Sequence, residues 1–82
     1  MPTLVVEILS PATARRDRTE KKRLYEMNGV EEYWLVDPEQ REVTVFHLGE
    51  GRYDAGTRFG VRQKLRSCVL PGFEIPARSL FA

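Results

Sequence analysis

Glu7 stands alone in an apolar run, Thr3-Leu4-Val5-Val6-Glu7-Ile8-Leu9. A carboxylate taken out of water is costly unless it is paired or bound to a cation, so something near Glu7 must justify it. Fourteen positions on, Lys21 falls on the expected inward stripe of a helix. Asp17 lies one turn before Lys21 and Tyr25 one turn after, so the three project the same way. Asp17 is then placed to orient the lysine or pair with it. Metal-assisted phosphodiester cleavage needs carboxylates to hold a divalent cation, and a cation or base to help activate the attacking water. Glu7 and Lys21 meet part of that demand. They also meet the demands of a structural ion pair, with Asp17 and Tyr25 satisfying leftover hydrogen bonds. The four residues alone leave both readings open.

Other chemistries find little support. There is no glycine-rich phosphate loop, no Ser-His-Asp order and no helix carrying two histidines. The sole histidine, His47, is expected on a strand facing solvent or the sheet edge. The sole cysteine, Cys68, excludes an internal disulfide and a multi-cysteine zinc site. Its setting between Ser67 and Val69 suggests a packed thiol. Thirteen basic and twelve acidic residues give a net charge of +1, which argues against a polyanion binder acting through overall charge. The charge is uneven, however: Arg15, Arg16, Arg18, Lys21, Lys22 and Arg23 fall within nine positions. Such a cluster is either a solvated helix face or a local phosphate-facing patch.

The elements that must position these residues follow from periodicity. Residues 3–9, apolar on both faces, read as a buried central strand of parallel type. Ser10-Pro11-Ala12-Thr13 ends it and offers helix caps. A helix is expected from about Ala14 to Asn28, stopped by Gly29. Its inner stripe comprises Ala14, Asp17, Lys21, Leu24, Tyr25 and Asn28, with Lys22, Arg23 and Glu26 outward. Glu32 to Val36 is rich in aromatic and β-branched residues and reads as a strand. Asp37-Pro38-Glu39-Gln40 turns the chain into a second hairpin arm through His47. Gly49-Glu50-Gly51 turns it again toward a short edge strand at Tyr53. Val61 to Leu65 suggests another exposed strand. Pro71 to Pro76 is a bounded loop or short strand, and Ala77 to Phe81 a final turn that docks Leu80 and Phe81. The order strand, helix, strand, hairpin predicts an α/β (α+β) fold: a mixed sheet with one main right-handed crossover helix.

Eighty-two residues without an internal repeat or linker make one domain, 1–82, with a modest core. A hydrophobic share of 41% and a charged share of 30% place it among ordinary globular chains. No run approaches the roughly 20 apolar residues of a membrane span, and no secretory signal is visible. A cytoplasmic setting and no membrane partner are the expectations.

Several segments together resemble one family. They are Pro2 to Pro11, then Asp17, Lys21, Tyr25 and Gly29-Val30, then Glu32-Tyr33-Trp34-Leu35-Val36-Asp37-Pro38, then Leu70-Pro71-Gly72-Phe73-Glu74 and Leu80-Phe81. The pattern is similar to the Uma family of bacterial endonucleases, within the restriction-endonuclease-like, PD-(D/E)XK superfamily. The resemblance covers essentially the whole chain, which looks like the C-terminal half of a member. It implies a truncated restriction-endonuclease-like sheet and a Mg2+ (or Mn2+) ion held by acids on adjacent strands. Glu7 matches the second acid of the motif and would be both a catalytic residue and a metal ligand. The lysine usually found two residues later is replaced by Leu9, and Lys21 on the helix matches it instead. Asp17 and Tyr25 are supporting residues. DNA is the implied partner, with Arg15, Arg16, Arg18, Lys22 and Arg23 as candidate contacts. The metal-binding aspartate of the motif has no match here, and Thr3 stands where members commonly carry Asp. Two functions follow as expectations. One is a metal-dependent DNA endonuclease-family domain that lacks the upstream metal-binding acid. The other is a non-catalytic oligomerisation or nucleic-acid-binding module, with homodimers formed through an exposed sheet edge.

Overall fold

A computed structural model describes residues 4–10 and 14–81, with only the backbone of residues 14–17. The expected helix caps at 11–13 lie outside the described residues.

The strand β2 (Glu32–Asp37) is the spine of the molecule, and its first five residues are buried. It pairs in parallel with β1 (Leu4–Ile8), through Leu4↔Glu32 to Ile8↔Val36. On its other side β3 (Glu42–Gly49) runs antiparallel, through Glu32↔His47 to Asp37↔Glu42. The reversal between them is set by Asp37, whose Oδ1 accepts hydrogen bonds from the backbone of Glu39 and Gln40. The outer side of β3 is shared by β4 (Arg52–Tyr53) at one end and β5 (Thr57–Gly60) at the other. Gly56 precedes β5 at φ +85°, where a Cβ would stand 2.7 Å from both Phe46 and Thr44. Only glycine satisfies both that backbone and that contact.

The crossover from β1 to β2 is α1 (Ala14–Met27), ended by Gly29 in the left-handed region. It covers one sheet face, where Tyr33, Leu35 and Phe46 pack with Val5, Leu9, Tyr25 and Tyr53. On the opposite face Trp34, Val36, Val43 and Val45 pack against Leu65 and Ala77. Those two residues come from a separate hairpin, β6 (Lys64–Arg66) with β7 (Glu74–Pro76), and from the 3₁₀ turn Ala77–Leu80 that follows. Leu80 and Phe81 dock on this core as expected. The mixed sheet with a single main helix is therefore the observed architecture. No helix among the described residues is long and apolar enough to cross a membrane.

Three sequence-based placements are corrected. First, β1 is parallel but lies at the sheet edge rather than the centre among the described residues, with Val6 and Ile8 exposed, Ile8 by 60%. An apolar strand reads the same whether a protein layer covers its second face or not, which is why periodicity misplaced it. Second, the inner stripe of α1 is rotated: Lys22 and Glu26 turn partly inward, while Leu24 and Asn28 are exposed. Specific partners on the sheet decide this. Lys22 Nζ stands 4.2 Å from the Phe46 ring centroid, and Glu26 accepts the Tyr53 backbone N–H at 2.8 Å. Third, Val61 to Leu65 does not form one strand. The sheet strand ends at Gly60, residues 61–63 turn, and Leu65 belongs to the separate hairpin.

Candidate active site

The carboxylate of Glu7 is the meeting point of β1 and α1. Alternation along β1 sends Val5, Glu7 and Leu9 toward the helix side. Lys21 and Tyr25, one turn apart, reach it from above. Lys21 Nζ lies 3.4 Å from Glu7 Oε2, and the Tyr25 hydroxyl donates a short hydrogen bond to Oε1. The predicted trio of Glu7, Lys21 and Tyr25 is thus assembled, each carboxylate oxygen with its own donor. Asp17 is the exception, since its side chain lies outside the described residues.

The pair is half-buried rather than buried. The Glu7 side chain keeps 24% of its exposure and that of Lys21 keeps 42%. At that exposure the attraction is screened, and the pair is worth no more than about 1 kcal/mol. Burial first, then the bond to Glu7, pushes the Tyr25 hydroxyl up to about 12. It therefore stays protonated and keeps donating at neutral pH.

Glu7 and Lys21 line a small cleft with Arg18, Tyr33 and Leu35. Tyr33 is fully buried, yet its hydroxyl has no hydrogen-bond partner among the described residues. A buried hydroxyl without a partner is costly. Sequence reasoning did not single Tyr33 out, because an aromatic residue in a strand is expected core. The only signal was its polar tip in an otherwise apolar run. Past Leu9, Arg18 and Leu35 the cleft continues into a wider groove toward Asp37, Thr44, Glu42 and Arg58.

The basic cluster does not act as one surface among the described residues. Arg18 lines the groove, Lys22 is committed to Phe46, and Arg23 is exposed away from both. The side chains of Arg15 and Arg16 lie outside the described residues. A Mg2+ or Mn2+ ion prefers about six oxygen ligands in a tight octahedron. Glu7 offers one carboxylate whose oxygens are both engaged, and it joins no group of three potential ligands among the described residues. The residues described here do not by themselves make up such a site.

The fold and this geometry can be set beside known proteins. The profile of the family Uma2, described as "Putative restriction endonuclease", matches residues 1–78. The chain belongs to the Uma2 family. Its fold is similar to that of a crystal structure from Anabaena variabilis, titled a "putative nuclease belonging to DUF820", with a TM-score of 0.75 and 22% identity. The match covers 98% of this chain and 44% of that one, so this Uma2 chain spans less than half the length of its structural neighbour. No curated protein matches it.

One acid was expected only as the start of a strand. Glu32, at the start of β2, is fully buried on the face opposite α1. Its Oε1 accepts from Ser67 Oγ at 2.7 Å and the Cys68 N–H at 3.1 Å, and its Oε2 from Trp34 Nε1 at 3.0 Å. Burial pushes its carboxyl up, but the hydrogen bonds from Ser67, Trp34, Cys68 and Val69 together hold it below the ordinary value. Glu32 is the buried carboxylate that Glu7 was expected to be. Cys68 is corrected as well, because it is exposed on a turn rather than packed.

Proposed function

We propose that this chain carries one half of a nuclease-type phosphodiesterase centre, corresponding to the C-terminal half of a restriction-endonuclease-like domain. The observation that supports it most is the engagement of Glu7 by Lys21 and Tyr25 at the mouth of a cleft flanked by Arg18. Tyr25 fixes the rotamer of Glu7 by its hydrogen bond. Lys21, half-exposed, is free to turn from Glu7 toward a phosphate oxygen and offset the negative charge that grows there. Arg18, on the same cleft, is placed to hold a neighbouring phosphate. A divalent cation in such centres activates water and polarises the phosphate. Here further carboxylates would have to join Glu7, from a second copy or from additional chain of the kind its longer neighbour has. DNA is the proposed substrate, and Mg2+ or Mn2+ the proposed ion.

The test is incubation of the purified chain with supercoiled plasmid and Mg2+ or Mn2+, beside Glu7→Gln and Lys21→Ala. The expected result is nicking that rises steeply with protein concentration and is lost in both variants. Nicking that persists in both variants would sink the assignment of these residues. A folded chain that never nicks would leave the second reading, a non-catalytic module that self-associates. The open edge of β1, with Val6 and Ile8 exposed beside it, favours that second reading. A homodimer paired through this edge is compatible with both.

A further inference from the structure

On the face opposite Glu7 three side chains of different chemistry converge. The register of β2 and β3 sets Glu32 directly across from His47. The turn after β6 wraps Glu32 by donating the backbone N–H groups of Cys68 and Val69 to it. The carboxylate of Glu32, a ring nitrogen of His47 and the Cys68 sulfur all lie within 4.8 Å of one another.

Each is prepared to act as a ligand. Glu32 is ionised, being held below the ordinary carboxyl range by its donors. Those donors crowd Oε1, while Oε2 accepts the Trp34 N–H at 3.0 Å and shares the Cys68 N–H at 3.3 Å. A carboxylate oxygen has two lone pairs, so an ion on the side that His47 faces would take over the shared Cys68 position on Oε2, leaving that N–H to Oε1. His47 Nε2 stands 3.6 Å from Oε2, beyond a good hydrogen bond. That nitrogen is buried and has no hydrogen-bond partner among the described residues, although the side chain as a whole is 39% exposed. The other ring nitrogen, Nδ1, faces Asp54 Oδ2 at 3.7 Å. Asp54 is itself fixed by accepting the backbone N–H groups of His47 and Gly56. The distance from Nδ1 to Asp54 too is beyond a hydrogen bond, and closing it on metal binding would give the histidine the carboxylate that orients metal-binding imidazoles. Cys68, exposed on its turn, is open to solvent.

We propose that Glu32, His47 and Cys68 form a binding site for a borderline divalent transition-metal ion, with Zn2+ as the representative. One carboxylate oxygen, one imidazole and one thiolate suit such an ion and not Mg2+, which takes oxygen donors. Zn–ligand bonds of about 2.0–2.3 Å need ligand atoms roughly 3.3–3.8 Å apart. The cluster is therefore slightly wide, and binding would draw the ligand atoms together, the exposed Cys68 side chain having the most room to move. Three protein ligands leave a fourth position, on the exposed Cys68 side, for water or another donor. The ion would clamp the turn after β6 to the β2–β3 ladder. This site is independent of the Glu7 centre and of its proposed activity.

The test is Co2+ and Zn2+ titration of the reduced full chain, followed by absorbance and by thermal melting. The variants are His47→Gln, Cys68→Ser and Asp54→Asn, with Glu7→Gln as a control. His47, Cys68 and Asp54 all keep solvent contact, so folding is expected to survive and is checked by circular dichroism. The expected result is one Co2+ per chain with a thiolate-to-cobalt charge-transfer band, and a rise in melting temperature with Zn2+. The band disappears in Cys68→Ser, affinity falls at least about 10-fold in His47→Gln, and it falls about 10- to 100-fold in Asp54→Asn. Glu7→Gln leaves all of this unchanged. Absence of the band in folded protein would overturn the site, as would Cys68→Ser or His47→Gln binding like the unmodified chain.

Discussion

Two glutamates in this chain occupy opposite regimes of the same electrostatics. Glu7 is half-exposed, with a lysine and a phenol for company, so its surroundings are compatible with exchange of partners during chemistry. Glu32 has no exposure and is surrounded by donors from two segments, β2 itself and the turn after β6, which hold it in place. Removing one donor from Glu32 strands part of a buried charge. Ser67→Ala is therefore expected to cost about 1–3 kcal/mol in a urea titration. The hydroxyl it removes also accepts the Val69 and Leu70 N–H groups. A cost near zero would mean that water replaces the hydroxyl. The sign of the pH dependence follows from the lowered carboxyl. Between the ordinary value of 4.5 and the lower folded value, the unfolded chain binds the proton and the folded chain does not. Stability from Glu32 is thus complete above about pH 4.5 and lost as pH falls through the folded value. Melting temperature measured down this range should drop more steeply in the unmodified chain than in Glu32→Gln. Parallel curves would assign the acid sensitivity elsewhere.

Among the elements, β1 has a pairing partner on one side only within the described residues, and its Leu4, Val6 and Ile8 share the face opposite α1. Phe73 stacks on Trp34, the strand neighbour of Val6, and is itself exposed. Open backbone beside apolar side chains is the setting for strand addition. If the proposed homodimer pairs through this edge, an Ile8→Lys variant is expected to sediment as less of a dimer than the unmodified chain without loss of secondary structure, since Ile8 is exposed in the chain. An unchanged profile would rule out this edge. The opposite face of the sheet makes a different forecast. Tyr25, Phe46 and Tyr53 gather around Tyr33, and burial first of all raises all three tyrosine hydroxyls, those of Tyr25 and Tyr53 to about 12. Above pH 10 the unfolded tyrosines release protons that the folded ones retain, so stability is lost as pH rises from there toward 12. Tyrosinate absorbance and far-ultraviolet circular dichroism should change together in that range. Tyrosinate appearing before unfolding would show that the cluster is open to water.

For the molecule as a whole, what was legible in sequence was local, and what was missed depended on partners. The helix with its Gly29 stop, the Asp37 turn and the Glu7–Lys21–Tyr25 meeting follow from spacing alone. The position of β1 at the edge does not, because Val6 and Ile8 carry no mark of what covers them. Nor does the donor cage of Glu32, whose members Ser67, Cys68 and Val69 lie some 35–37 positions away. The groove is of this second kind, since Arg18 of α1 and Arg58 of β5 join it only through the sheet. With a net charge of +1, any binding of DNA must come from such local placement rather than from the overall field. Each phosphate neutralised by one cation contributes about 0.9 to the slope of log affinity against log salt. Arg18→Ala and Arg58→Ala are each expected to weaken duplex binding irrespective of its sequence and to lower that slope by about 1. Arg23→Ala, on the outer side of α1, should leave it unchanged. Equal effects from all three would point to diffuse attraction by the helix, and the groove would lose its claim to the nucleic acid.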